Sequence, residues 1–128
     1  MRRKVYRLMV CAFLATASST VDEFDARLAE AKANEATPEW TDYQGPFFEK
    51  LVPVLRQTMV SCFPADQEPA IGTFTLLFAI QTDGRLSRFL VRPDNAKTRC
   101  VISGLRDIEV PVPPRPDWWE FLEMRVTP

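Results

Sequence analysis

Residues 72–92 constrain this chain more than any other stretch. Gly72 to Gln81 alternates, with Phe74, Leu76, Phe78 and Ile80 on one side. Thr82-Asp83-Gly84-Arg85 follows, and then a second run from Leu86 to Arg92. Alternation of period two is the pattern of a half-buried strand, and an Asp-Gly pair between two such runs is the mark of a tight hairpin. With Asp83 and Gly84 as a two-residue primed turn, Thr82 faces Arg85. Counting outward pairs Ile80 with Ser87, Phe78 with Phe89 and Leu76 with Val91, all on one face. The opposite face carries Thr75, Leu77, Ala79, Arg88 and Leu90, a mixed set that is expected to be partly exposed.

The N-terminus has a different character. Met1-Arg2-Arg3-Lys4 is basic, Val5 to Ala17 is mostly apolar, and Ala15-Thr16-Ala17 ends the run on small residues. That order is the layout of a secretory signal peptide, so residues 1–17 are read as a cleaved signal. The apolar run is shorter than the roughly 20 residues that a membrane-spanning helix needs. A buried first helix, a membrane anchor and a lipoprotein signal at Cys11 are the alternatives. The expected location is periplasmic or secreted, with no membrane insertion after cleavage.

Export changes the charge and the cysteine count. The whole chain has 16 Lys and Arg against 17 Asp and Glu; loss of Arg2, Arg3, Lys4 and Arg7 leaves a net charge of -5. An acidic domain of this kind is a poor match for nucleic acid. Cys62 and Cys100 remain, and an even pair in an exported chain reads as a disulfide, with two inert buried thiols as the alternative. Closing a loop of about 39 residues contributes roughly 4 kcal/mol by loop-closure entropy.

Elsewhere the pattern is helical. Ser19 to Glu35 reads as a helix capped by Ser19 or Thr20, with Phe24, Leu28 and Ala31 on one thin face. Residues 34–46, with Pro38, Gly45 and Pro46, read as a linker anchored by Trp40 and Tyr43. Phe48, Leu51, Val52, Leu55, Met59 and Cys62 give residues 47–62 a buried helical stripe, which Pro53 kinks or shortens. A further helix is expected over 95–106 with Asp94 as cap and Gly104 as its weak spot. Residues 110–116 form an extended proline-rich connector, and residues 120–126 a last strand. The result is an α+β fold: a three-stranded antiparallel sheet in the order α-β-β-α-β, with two packing helices on its apolar face, plus an N-terminal helix. The domain division is signal 1–17, N-terminal helix and linker 18–46, and α+β domain 47–128.

The stretch from Phe47 to Val126, above all "GTFTLLFAIQTDG" followed by "RLSRFLVRPDNAKTRCVISGLRDIEVPVPP", resembles the C-terminal domain of TonB-type energy transducers and its stand-alone, disulfide-bearing relatives. The resemblance implies a periplasmic protein-binding domain of that fold. An inner-membrane anchor and a long proline-rich spacer, which a full transducer carries, are not recognisable here. The Tyr-Pro pair usual before the first strand is replaced at best by Phe63-Pro64.

No catalytic residue is assigned. The chain has no His, which removes Ser-His and Cys-His nucleophiles and most zinc sites. Four glycines leave no phosphate-binding loop, and no metal or cofactor is expected. Pairs of acids such as Asp117 and Glu120 read as solvated surface. A non-enzymatic protein-binding module is therefore expected, with a periplasmic inhibitor or immunity protein against a secreted toxin as the alternative. Its partner is another protein of the periplasm or envelope. Candidate contact residues are Arg85, Arg88 and Arg92 on the second strand and its turn, and Trp118 and Trp119 on the last strand. The two adjacent tryptophans point to opposite faces of a strand, so one can be core while the other is exposed, with both being structural as the alternative. Residues 22–68 hold 10 acidic and 4 basic residues, an asymmetry that could steer an acidic partner toward the hairpin side.

Overall fold

The computed structural model describes residues 22–65 and 72–126. The proposed signal peptide, its cleavage site and the Ser19 or Thr20 cap lie outside the described residues. Three helices and three strands follow in order: α1 (Glu23–Glu35), α2 (Pro38–Cys62), β1 (Thr73–Ile80), β2 (Leu86–Arg92), α3 (Ala96–Leu105) and β3 (Trp118–Arg125). The sheet is antiparallel with β1 in the centre, in the order β2-β1-β3. The expected α+β fold with its α-β-β-α-β order is present.

The largest departure from expectation is α2. Residues 38–46 are no linker; they are the first part of a 25-residue helix. Pro38 occupies the first turn, where a missing N–H costs nothing. Pro46 and Pro53 lie inside the helix, and both face solvent. The carbonyls they leave unpaired, those of Asp42 and Glu49, belong to exposed residues that water can reach. The opposite side carries Trp40, Tyr43, Phe47, Leu51, Leu55, Thr58 and Cys62, all buried and spaced by threes and fours. Burial of that uninterrupted stripe outweighs two prolines whose cost falls on the wet side.

α3 is capped by Asn95, not Asp94. Thr98 N–H donates to Asn95 Oδ1 at 3.1 Å, and Asn95 N–H donates to Thr98 Oγ1 at 3.0 Å, a reciprocal capping box. Gly104 proves to be a contact rather than a weak spot. A Cβ there would lie 2.4 Å from Thr58 Cγ2, so glycine lets α3 approach α2 closely. The expected disulfide joins Cys62, the last residue of α2, to Cys100 in α3, with the Cα atoms 5.7 Å apart.

α2 and α3 cover one face of the sheet, where Phe74, Leu76, Phe78, Ile80, Leu86, Trp118 and Leu122 join the main core. The mixed face is not left open. α1 lies across it, and Phe24 and Ala31 pack with Leu77, Ala79 and Trp119 in a second, smaller core. Asp22 caps α1 by accepting from Phe24 N–H at 3.1 Å. The molecule thus has helices on both faces of the sheet, where the sequence suggested one covered face.

The hairpin differs from the expected one by a single residue. Leu76 pairs with Val91 and Leu77 with Leu90, as expected, but Ala79 pairs with Ser87 and Ile80 with Leu86. Arg88 and Phe89 together stand opposite Phe78, a β-bulge in which Arg88 has φ +55°. The turn has three residues, Thr82 to Gly84, closed by Gln81 N–H donating to Arg85 O at 2.8 Å. Gly84 alone has positive φ there, and Asp83 does not. The shift turns Leu86 into the main core beside Ile80, which the two-residue register would have denied it.

Candidate functional site

The five residues singled out from the sequence do not form one surface. Arg85 sits at the hairpin tip with its Nε 3.9 Å from Asp83 and 3.7 Å from Glu109. Arg92, at the other end of β2, ion-pairs with Asp22 and, at 3.1 Å, with Asp25, and its guanidinium lies 4.3 Å from the Phe24 ring centre. That arginine fastens the start of α1 to the sheet. Only Arg88 and Trp119 are brought together, with the guanidinium 5.1 Å from the indole centre.

Neither tryptophan is exposed. Trp118 and Trp119 each retain 1% of their accessible surface, on opposite faces of the sheet. Of the two alternatives, both tryptophans are structural, because α1 covers the second face. Trp118 Nε1–H donates to Glu120 Oε1 at 2.8 Å, and the Arg115 guanidinium lies 5.3 Å from its ring. Trp119 also carries Arg27, at 4.8 Å.

Sequence reasoning misses Glu120, which reads as solvated surface beside Asp117. It follows Trp118 on the inward side of β3 and is 1% exposed, and its Oε2 makes no hydrogen bond of normal geometry. Burial, with the nearby Glu35 carboxylate, pushes its carboxyl up to about 9, so it is protonated at neutral pH. Tyr43 is raised as well, by burial and by the charge Glu120 would carry. The Tyr43 hydroxyl donates to Pro111 O at 2.8 Å and ties the proline-rich connector to α2. The available signal was parity: Glu120 shares its face with Leu122 and Met124.

Two surface features remain for recognition. The first is the edge of β3. Val126 N–H donates to Gly72 O at 2.8 Å, which fixes the alternation of the ladder. Residues 120, 122 and 124 direct their backbone groups to β1, and Trp119, Phe121, Glu123 and Arg125 direct theirs outward. Asn34 Nδ2–H covers the Trp119 carbonyl at 3.0 Å, and the open part of the edge begins beyond it. The second is a groove of about 500 Å³ where α1 meets the sheet, lined by Arg27, Glu30, Asn34, Arg88, Asp117 and Trp119. Among the described residues no helix is long and apolar enough to cross a membrane. No protein-family model, no curated protein and no solved structure matches the chain.

Proposed function

We propose that this chain is an exported, non-catalytic protein-binding module of the TonB C-terminal type, working in the periplasm by adding an extended segment of an envelope protein to the edge of β3. The observation that carries this reading is the outward row of backbone groups at Phe121, Glu123 and Arg125 on an edge strand. An open edge is a template for one more strand, with main-chain hydrogen bonds giving affinity and alternate side chains giving selectivity. The charged side chains of Glu123 and Arg125 keep such an edge from pairing indiscriminately. The Cys62–Cys100 bond and the signal-like N-terminus support an oxidising compartment.

The experiment is capture from envelope extract by the wild-type chain and by Glu123→Pro, each first checked by thermal melting. Proline removes one outward N–H and leaves the inward ladder to β1 intact. Retention of a partner by the wild type alone, with the Phe121 and Glu123 amides protected from hydrogen exchange in the complex, is the expected result. Equal capture by both chains, or a cytosolic protein with free Cys62 and Cys100 thiols, overturns the reading.

A further inference from the structure

We infer that the groove in which Arg88 lies against Trp119 binds an acidic side chain of a partner protein, with the Arg88 guanidinium as the group that holds the carboxylate. The inference rests on the protein-binding reading but concerns a different surface from the β3 edge.

The backbone gives the first reason. Among the described residues only two that are not glycine have positive φ, Arg88 at +55° and Asp117 at +58°. Both line this groove. Left-handed backbone disfavours side chains with a Cβ, and glycine or asparagine would sit there at lower cost. Strained residues of this kind concentrate at binding sites, and bulges beside such sites re-aim a side chain. Here the bulge aims Arg88 at the indole.

Charge gives the second reason. Of the three arginines on β2 and its turn, Arg85 and Arg92 each have a carboxylate partner. Among the described residues none lies within ion-pair distance of Arg88, which is exposed beside the groove. A guanidinium resting on an aromatic ring keeps its N–H edges free for in-plane hydrogen bonds, the geometry that grips a carboxylate with two of them.

The shape and the remaining charges select the kind of ligand. A second, separate depression also has Arg88 and Asp117 in its lining, with Ser87 and Pro116, so open surface that a chain segment can follow adjoins the groove. Asp117 and Glu30 on the groove's walls oppose a polyanion such as a phosphate cluster or an anionic lipid surface. They tolerate a single carboxylate flanked by backbone N–H donors. An acidic protein segment meets both conditions.

The test is a titration of the purified, isotope-labelled chain with an acetylated and amidated peptide that has one Glu between flanking Gly residues, followed at the Trp119 indole N–H resonance. A saturable shift is expected, about tenfold weaker for Arg88→Gln, since a hydrogen bond to a charged group is lost. Arg88→Lys should fall between the two, which keeps the comparison decisive even where Arg88→Gln folds poorly. No saturable shift, or equal affinity in all three chains, overturns the site. A response to inorganic phosphate as strong as that to the peptide overturns the assignment to a protein carboxylate. Normal partner capture beside a silent titration removes this inference alone; a saturable titration beside failed capture removes the strand-addition reading alone.

Discussion

Gly84 and Val110 meet backbone to backbone. Val110 N–H donates to the Gly84 carbonyl at 2.9 Å, and a Cβ on Gly84 would fall 2.0 Å from the Val110 carbonyl oxygen. Gly84 also has φ +86°. One residue therefore turns the hairpin and lets the proline-rich connector cross over it. Through Tyr43 and Pro111 the same connector is tied to α2, so the tip of the hairpin and the long helix are held by one strap.

Gly84→Ala should destabilise the fold by at least about 2 kcal/mol, because left-handed strain and displacement of the connector act together. Urea unfolding measures this. A variant within experimental error of the wild type would mean that the connector does not cross at Gly84.

Glu120 gives the protein a pH dependence of unusual sign. Its carboxyl is held near 9 in the folded chain by burial and by Glu35, against 4.5 ordinarily. The folded state therefore keeps a proton that the unfolded state releases. Stability from this group is complete below pH 4.5 and is lost as pH rises toward 9, with a slope of at most about 1.4 kcal/mol per pH unit. Glu120→Gln keeps an acceptor for the Trp118 indole N–H and removes the proton. The variant should be more stable than the wild type at pH 8, with the gap narrowing toward pH 5. Denaturant melts of both chains across that range decide it, and parallel profiles would show that Glu120 is ionised in the fold.

α1 is a layer of the protein and not an appendage. Phe24 is buried against the sheet face that holds Leu77 and Leu90, and Arg92 is clamped over its ring. Phe24→Ala should cost about 3 kcal/mol, as removal of a buried aromatic ring does. An unchanged melting temperature would mean that α1 does not dock in solution.

The sequence made some of this legible and hid the rest for physical reasons. Strand parity around Asp83-Gly84 identified β1, β2 and the outer pairing of Leu76 with Val91, because alternation is a local signal. The disulfide was also legible, since Cys62 and Cys100 are the even pair that follows the proposed signal, and the helices that carry them pack on one face of the sheet. The start of α2 was hidden by Pro38, Gly45 and Pro46, which count against a helix locally. The buried spacing of Trp40, Tyr43 and Phe47 overrides them only in the tertiary context. The fate of the mixed face was hidden because an alanine-rich α1 gives a weak amphipathic signal, although Phe24, Leu28 and Ala31 were correctly placed on one face. Of the candidate site, the arginines were legible as residues of β2 and its turn, but the structure spreads them along the strand among different neighbours. Which of them lacked a partner depended on Asp22, Asp25 and Glu109, residues far away in sequence.

The bulge at Arg88 is the feature that the sequence concealed most fully, and it separates two pictures of β2 by a simple substitution. In a regular hairpin Arg88 would have ordinary strand geometry, and Arg88→Val would be favourable, since β-branched residues suit strands. In the bulged hairpin its φ of +55° lies where a β-branched residue is most disfavoured. Arg88→Val should then destabilise by about 1–2 kcal/mol. Arg88→Gly should be close to neutral, because relief of left-handed strain offsets loss of the contact with Trp119, worth about 0.5–1 kcal/mol at an exposed site. Unfolding of the two variants under identical conditions gives the order directly. Glycine above valine supports the bulge. Valine above glycine would restore the two-residue turn, move Leu86 out of the main core and remove the structural basis for aiming Arg88 at Trp119.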